Sequence, residues 1–547
     1  GTTIYPVTSQ MLSALQGSYS WLLIIIVLFY AGELVWKERG TKINEVTDAM
    51  PVSNWVPLLA KFAALIAVII SFQLVGAVTA MLIQLAKGYT QLEPLVYVKM
   101  LAVGSVTYVL MGGMALVLQV LSNNKFIGYA LLIVVMTLQG VMGLLDFTHN
   151  LYNFGSAPNA PYSDMNGYGH FLPGQLWFQG YWGMFLLALL LLAALFWVRG
   201  VGGGRRERFA LARQRLSGRL GGALATCLVA FAALGVFLYW NTNIHNDYVS
   251  PDQLLDLQAR YEREYGKYKD LPQPKITAVE IDVDLRPETQ SLRVDGTYRL
   301  HNPHATPIRD VHVQMEDDSA LASIDLGAAT LVKHDRLLDY RIYRLARPLQ
   351  PGEERTVRFK LDIHPNGITN EVAQHRIVGN GSFFNSRMFP MFGYTERAQI
   401  VDRNERRKRG LGPAARMPKL EDVAARSHPY IDDDADWLDF RTTICTAPDQ
   451  IALAPGYLQQ EFSRNGRRCF RYAMDRPILN FYAFLSARWQ VRKGSYRGVN
   501  GEIPIEIYFD PKHPYNVDRM IEAVRKSLAY YEANFTPYQH RQVRILE

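Results

Sequence analysis

Apolar residues along this 547-residue chain are divided at Trp240, with six long apolar runs before it and none after. The runs are Ser18–Trp36, Pro57–Leu85, Leu95–Leu121, Phe126–Leu145, Leu176–Val198 and Gly221–Trp240. Each is close to or beyond the roughly 20 helical residues that cross a bilayer core, where a helix satisfies its own backbone groups. The pattern predicts six transmembrane helices. Past Trp240, Leu254, Leu255, Leu257, Tyr261 and Tyr265 fit one further helix, closed by the breaker Leu271-Pro272-Gln273-Pro274. Alternating runs follow at Ile276–Leu285, Ser291–Leu300, Pro307–Met315, Arg341–Leu345 and Thr356–Ile363, and Asp295-Gly296, Asn302-Pro303 and Pro351-Gly352 read as turns between strands. From Asn516, read as an N-cap, Val517, Met520, Ile521, Val524, Leu528 and Tyr531 return to helical spacing, before a last strand at Gln542–Glu547.

Charge orients the apolar half. Lys37, Arg39 and Lys42 follow the first run, Lys125 sits in the tight turn after the third, and seven arginines crowd the loop Arg199–Arg219. Phe147–Gly174, on the other side, has no Lys or Arg. Basic loops mark the cytoplasmic face, so the sixth run is expected to leave Asn241–Glu547 outside, in the periplasm of a Gram-negative cell. Much of the net charge of +8 is therefore a topology signal. The chain begins at Gly1 and stops within a strand-like run, and a longer parent protein is expected.

Polar residues in the spans are few. Lys61 and Lys99 are expected to snorkel from span ends, and Gln73, Gln119 and Gln139 to bond to neighbouring helices. No file of buried carboxylates or imidazoles marks a proton path. Cys227 reads as a small hydrophobe. Cys445 and Cys469 fall in strand-like runs, and either pair in an oxidising compartment or remain two thiols.

The stretch Tyr30-Ala31-Gly32-Glu33-Leu34-Val35-Trp36-Lys37-Glu38-Arg39-Gly40-Thr41, ending in Pro51-Val52-Ser53, forms a surface hairpin after an apolar helix. It resembles the permease subunits of type-2 ABC transporters. That resemblance gives Glu38, Arg39, Gly40 and Thr41 a role in docking an ATPase, and makes the first five spans the later helices of a permease half. No GxxxxGK[ST] occurs, so the ATPase would be a separate polypeptide. Gly379-Asn380-Gly381-Ser382 lacks the lysine and reads as a turn.

In the polar half, Phe389-Pro390, Phe392-Gly393-Tyr394, the run Pro477–Ser486 and Tyr530-Tyr531-Glu532 with Phe535-Thr536-Pro537-Tyr538 resemble the N-terminal β-domain of the aminopeptidase N family of zinc peptidases and the entry to its thermolysin-like domain. The family's HExxH, two imidazoles on one helix face with a glutamate base, is absent, since no histidine here is followed by Glu. The Gly-x-Met-Glu-Asn-type strand is absent too. The chain is expected to hold no cofactor, to be inactive alone, and to rely on zinc in a downstream domain.

Weaker signals have plainer readings. Asp432-Asp433-Asp434-Ala435-Asp436 lacks the spacing of a calcium loop and reads as solvated. Arg403-Asn404-Glu405-Arg406-Arg407-Lys408-Arg409 reads as an exposed loop or a contact with an acidic surface rather than a nucleic-acid site. His375 reads as a surface residue, and His149, Asp164 and His170 share an outer loop without metal-ligand spacing.

The expectation is an α+β multidomain membrane protein, a six-span helical bundle followed by an extracytoplasmic β-rich sandwich or saddle and the start of a thermolysin-like α/β domain. Residues 1–200 would be permease helices, 201–245 the arginine-rich loop and extra helix, 246–274 a linker, 275–495 the aminopeptidase N-like β-domain and 496–547 the start of the catalytic domain. The function would be an inner-membrane ABC-type permease coupled to peptide binding or trimming. Its partners would be an ATPase subunit, the lipid bilayer, peptides, and a second copy or a preceding permease half. The alternative is a membrane-anchored degenerate peptidase serving as a binding module. Six spans exceed what a simple tether requires.

Overall fold

The structure is a computed structural model that describes residues 6–53, 55–199, 204–216, 218–316, 320–427 and 436–547. It divides into a helical unit, Gly1–Pro251 with Asn366–Ala373, and a β-rich unit, Asp252–Pro365 with Gln374–Glu547.

The helical unit runs from α1 (Thr8–Ala14) through a π-turn, Leu15–Tyr19, into α2 (Ser20–Gly40). Next come α3 (Asn44–Thr47), α4 (Trp55–Ala86), α5 (Pro94–Ser122), α6 (Lys125–Leu144), α7 (Phe171–Phe196), α8 (Arg205–Leu216) and α9 (Arg219–Tyr239). Among the described residues, six helices are long and apolar enough to cross a membrane, and they coincide with the six apolar runs. Helix α7 is central, with 56% of its most apolar stretch buried, against 11% for α6. The outer faces stay apolar: Phe126 is 80% exposed and Val236 71%. Water would penalise that shell, whereas hydrocarbon matches it.

Close approach in this unit depends on missing side chains. A Cβ on Gly112 would lie 2.7 Å from Val27, and one on Gly113 2.8 Å from Leu186. Polar struts tie the helices together. Ser105 donates to Gln73 at 2.6 Å, Trp36 Nε1 to Gln119 at 2.9 Å, and Gln139 to the Phe154 carbonyl at 3.1 Å. Lys61 does not snorkel. It is 7% exposed, and its Nζ donates to the Leu34 carbonyl at 2.8 Å and meets Glu38 at 2.9 Å, because two residues one turn apart on α2 offer it a carbonyl and a carboxylate. Lys99 is exposed.

The β-rich unit opens with α10 (Pro251–Tyr265), whose Tyr261 and Tyr265 are buried and whose Leu254 is exposed. Its largest sheet runs in the order Tyr457–Arg464, Arg467–Ala473, Trp437–Thr446, Lys275–Arg286, Ser291–His301, Glu354–Ile363, Leu321–Asp325, with Ile478–Leu479 paired to Trp437–Thr446. Only Lys275–Arg286 and Trp437–Thr446 pair in parallel within it. Alternation is clear in Lys275–Arg286, which buries Ile276, Val279, Ile281, Val283 and Leu285. A four-stranded sheet runs Ala329–Asp335, Tyr340–Leu349, Ile308–Gln314, Met391–Phe392, and a three-stranded one Ile451–Leu453, Ala483–Ala487, Ser382–Asn385. Phe359, Phe384, Phe389, Phe440, Tyr482 and Phe484 form an aromatic core, with Phe440 and Tyr482 at 5.0 Å and Phe389 and Tyr482 at 5.7 Å.

Three local expectations change. Asp295-Gly296 is no turn: it lies mid-strand, where a Cβ on Gly296 would meet Phe359 at 2.1 Å, so the glycine makes room for a ring. Pro477–Ser486 is two strands in two sheets, separated at Asn480–Tyr482. Asn516 does not cap through its side chain but takes a left-handed backbone, φ 59°. A further sheet, Gln490–Gly498, Gly501–Phe509 and Val543–Leu546, completes the unit. Its last two strands are parallel and joined through the amphipathic helix Val517–Asn534, a βαβ arrangement. The hairpin Gln490–Gly498/Gly501–Phe509 runs through position 495.

Candidate functional site

A half-open groove of about 980 Å³ lies in the β-rich unit. One wall is built from the run Ser386–Tyr394. Strand Met391–Phe392 is the outer strand of the four-stranded sheet, paired on one side with Val313 and Gln314. Local chemistry fixes this edge. Gln273 reaches across it, accepting the His312 N–H at 2.8 Å and donating to the Asp310 carbonyl at 3.1 Å. Gly393, at φ 98°, turns the chain beside Gln273 and donates its N–H to the His312 carbonyl at 3.0 Å, a backbone conformation that favours glycine. At the base, the Tyr298 and Tyr482 hydroxyls meet at 2.9 Å.

The facing wall is Met417–Leu420, continued by Asp422, Ala425 and Arg426. Met417 is 88% and Leu420 80% exposed, which is apolar surface turned toward open space. Most charges in the groove are matched: Lys269 pairs with Glu396, Lys275 with Asp436 at 3.4 Å, and Arg426 donates to the Leu420 carbonyl at 2.7 Å. Arg387 and Lys419 are exposed, and neither forms an ion pair among the described residues. An open strand edge, a neighbouring guanidinium and an apolar wall together suit an extended chain bearing a carboxylate. Arg387 went unnoticed in the sequence, although it is the one charged residue in the run Phe383–Tyr394.

Behind the edge strand is a buried tyrosine cluster. Tyr265 stacks on Tyr340 at 3.9 Å, Tyr261 on Tyr394 at 4.9 Å, and the Tyr340 hydroxyl contacts His312 Nδ1 at 2.7 Å. Burial pulls the His312 pKa down to about 4, with Asp310 opposing, so the ring is neutral near pH 7 and shares a single proton with the Tyr340 hydroxyl.

The other singled-out residues find these places. Glu38 and Arg39 are half-buried and held within the helical unit: Glu38 pairs with Lys61, and Arg39 donates to Asn123 at 2.9 Å and to the Val198 carbonyl at 3.1 Å. Gly40 and Thr41 are exposed, followed by Ile43, Val46 and Met50, 54%, 65% and 49% exposed. Cys445 and Cys469 face each other in register across antiparallel strands and are joined by a disulfide, both buried. The basic run forms α11 (Arg403–Lys408) against the acidic face of α10 rather than an exposed loop. Arg406 pairs with Glu262 at 2.9 Å, both under 10% exposed, while Arg409 meets Asp256 at 2.7 Å and Lys408 meets Asp252 at 3.0 Å.

His149 is a structural residue. Its Nδ1 accepts the Leu151 N–H at 3.1 Å and its Nε2 lies 3.0 Å from the Thr242 hydroxyl, and burial pulls its pKa down to about 4. His375 is exposed, and Gly379-Asn380 bends the chain into the strand Ser382–Asn385, with Asn380 accepting the Arg488 N–H at 2.8 Å. Of the acidic run, Asp432–Ala435 lies outside the described residues. Among the described residues no group of three or more His, Cys, Asp or Glu side chains is placed to hold a metal ion. The described residues therefore supply no ligand set for a catalytic zinc.

No protein-family model and no curated protein matches the chain. Among solved structures it is similar to the M1 zinc metallopeptidase from Deinococcus radiodurans, at 13% identity and a TM-score of 0.34, over 52% of this chain and 59% of that one. It is also similar to Legionella pneumophila aminopeptidase A in complex with aspartic acid, at 15% identity and a TM-score of 0.34, over 51% and 29%. The chain thus spans less than two thirds of the length of either structure.

Proposed function

We propose that this chain joins the later helices of an ABC-type permease half to an extracytoplasmic aminopeptidase N-like β-module, and that the module binds extended peptides in the groove beside Met391. The observation that carries the reading is the one-sided strand Met391–Phe392 lying in that groove next to the exposed Arg387. A peptide would add a strand to this edge by backbone hydrogen bonds, and Arg387 and Lys419 would take a side-chain or terminal carboxylate. The chain's own residues bind and orient; hydrolysis by zinc would belong to a downstream domain of the parent protein.

Three features support the membrane part of the proposal. The six apolar helices keep an apolar outer shell. The Cys445–Cys469 disulfide suits an oxidising compartment, as expected for a periplasmic module. Thr41, Ile43, Val46 and Met50 form an exposed and partly apolar hairpin after α2, the surface on which a separate ATPase would dock, with Arg199 holding its far end through the Met50 and Ser53 carbonyls.

The test is fluorescence anisotropy of labelled extended peptides with the full chain in neutral detergent. Acidic peptides should bind, and Arg387→Ala with Lys419→Ala should weaken them about tenfold, the effect of losing one charge-assisted hydrogen bond. Absence of binding across the panel, or equal binding by the double variant, refutes the peptide reading. For the hairpin, Val46→Asp with Met50→Asp should abolish stimulation of a co-expressed ATPase while the chain remains folded. Unchanged stimulation rejects the docking surface.

A further inference from the structure

Helix α8 has two different faces. Arg208 donates to the Val120, Leu121 and Phe196 carbonyls at 3.0, 3.2 and 3.1 Å, and Arg215 to the Leu195 and Trp197 carbonyls at 3.0 and 2.6 Å. Ala212, between them on the same face, is 6% exposed. These carbonyls are the unsatisfied C-terminal groups of α5 and the end of α7, which carry partial negative charge. The arginines therefore fasten α8 to the ends of two apolar helices. That is the level at which hydrocarbon gives way to headgroups.

An adjacent face carries Arg206, Phe209, Arg213 and Leu216, spaced by three, four and three residues and so aligned in one stripe. Arg206 and Arg213 are exposed and form no ion pair among the described residues, while Phe209 is 67% and Leu216 47% exposed. The loop Arg199–Arg219 has seven arginines and one acidic residue, Glu207. Cations alternating with large apolar side chains, on a helix held at the membrane level, match a surface of phosphates above acyl chains.

We propose that the stripe Arg206, Phe209, Arg213 and Leu216 binds the headgroups of anionic phospholipids in the adjoining leaflet. The guanidinium groups take the phosphates, and Phe209 and Leu216 enter the acyl boundary. Because the inner face of α8 holds the ends of α5 and α7, bound lipid stabilises the helical unit from that side.

The full chain in neutral detergent tests this through thermal unfolding and native mass spectrometry, with micelles doped with phosphatidylglycerol, with phosphatidylcholine, or with inorganic phosphate alone. Phosphatidylglycerol should raise the melting temperature and remain bound; the other two should do neither. Arg206→Gln with Arg213→Gln should lower the apparent phosphatidylglycerol affinity roughly 30-fold, and Arg206→Lys with Arg213→Lys should retain most of it. Equal effects of the two lipids, reproduction of the shift by phosphate alone, or full lipid retention by the glutamine variant overturns the proposal. If the glutamine variant does not fold, Phe209→Ser with Leu216→Ser decides: weaker retention supports the stripe and unchanged retention overturns it.

Discussion

His312 shows how one side chain links the candidate site to the stability of its scaffold. It is 2% exposed, bonded to Tyr340, and burial holds its pKa near 4, below the roughly 6.5 of an unfolded histidine. Below pH 6.5 the unfolded chain takes up a proton that the folded ring refuses, so this residue's contribution is complete above pH 6.5 and is lost as pH falls toward 4. Denaturant unfolding of the β-rich unit should therefore weaken over that window. His312→Gln should flatten this part of the profile, and an unchanged slope would show that other groups control it. Lys61 makes the parallel case in the helical unit: the sequence placed it near a span end, but only the position of the Leu34 carbonyl and the Glu38 carboxylate shows that it is a strut. Arg387 was hidden for a related reason. A single exposed cation has no period, and its meaning comes from the groove around it.

Elements were legible where their period was strong. The six apolar runs became six helices, and five alternating runs became strands within a few residues of their expected limits. Weak or mixed periods were missed, as in Gln490–Gly498, where charge occurs on both faces, and Ala329–Asp335, which is largely exposed. The packing of α11 on α10 was legible only as an open choice, because the acidic partner lies some 150 residues earlier in the chain. Glu262 and Arg406 are both nearly buried, so Arg406→Ala leaves a buried carboxylate without its cation. That should cost about 3–5 kcal/mol in equilibrium unfolding, and a loss below about 1 kcal/mol would mean that water or another donor replaces the arginine. The disulfide closes a separation of 24 residues. Cys445→Ser with Cys469→Ser should lower stability by about 3 kcal/mol, and no change after reduction of the native chain would contradict that.

At the scale of the molecule, the division at Trp240 separates two kinds of folding problem. Before it, helices share an apolar outer surface and are distinguished by glycines and struts: Gly112→Leu would force a side chain toward Val27 and Leu65, and should lower the melting temperature of the full chain in detergent by several degrees. A neutral result would show that α2 and α4 move away freely. After the division, cores form on alternating strands, and the groove is created by the outer strand Met391–Phe392 meeting Met417–Leu420. The groove's chemistry depends on tertiary placement that no motif encodes.

Whether a peptide adds a strand in this groove is read from hydrogen–deuterium exchange of the full chain with and without a saturating acidic peptide. Bound peptide should slow exchange at the backbone amides of Met391–Tyr394, with the effect lost in Arg387→Ala with Lys419→Ala at the same peptide concentration. Protection confined to other segments, or none at all while peptide is bound, would contradict it.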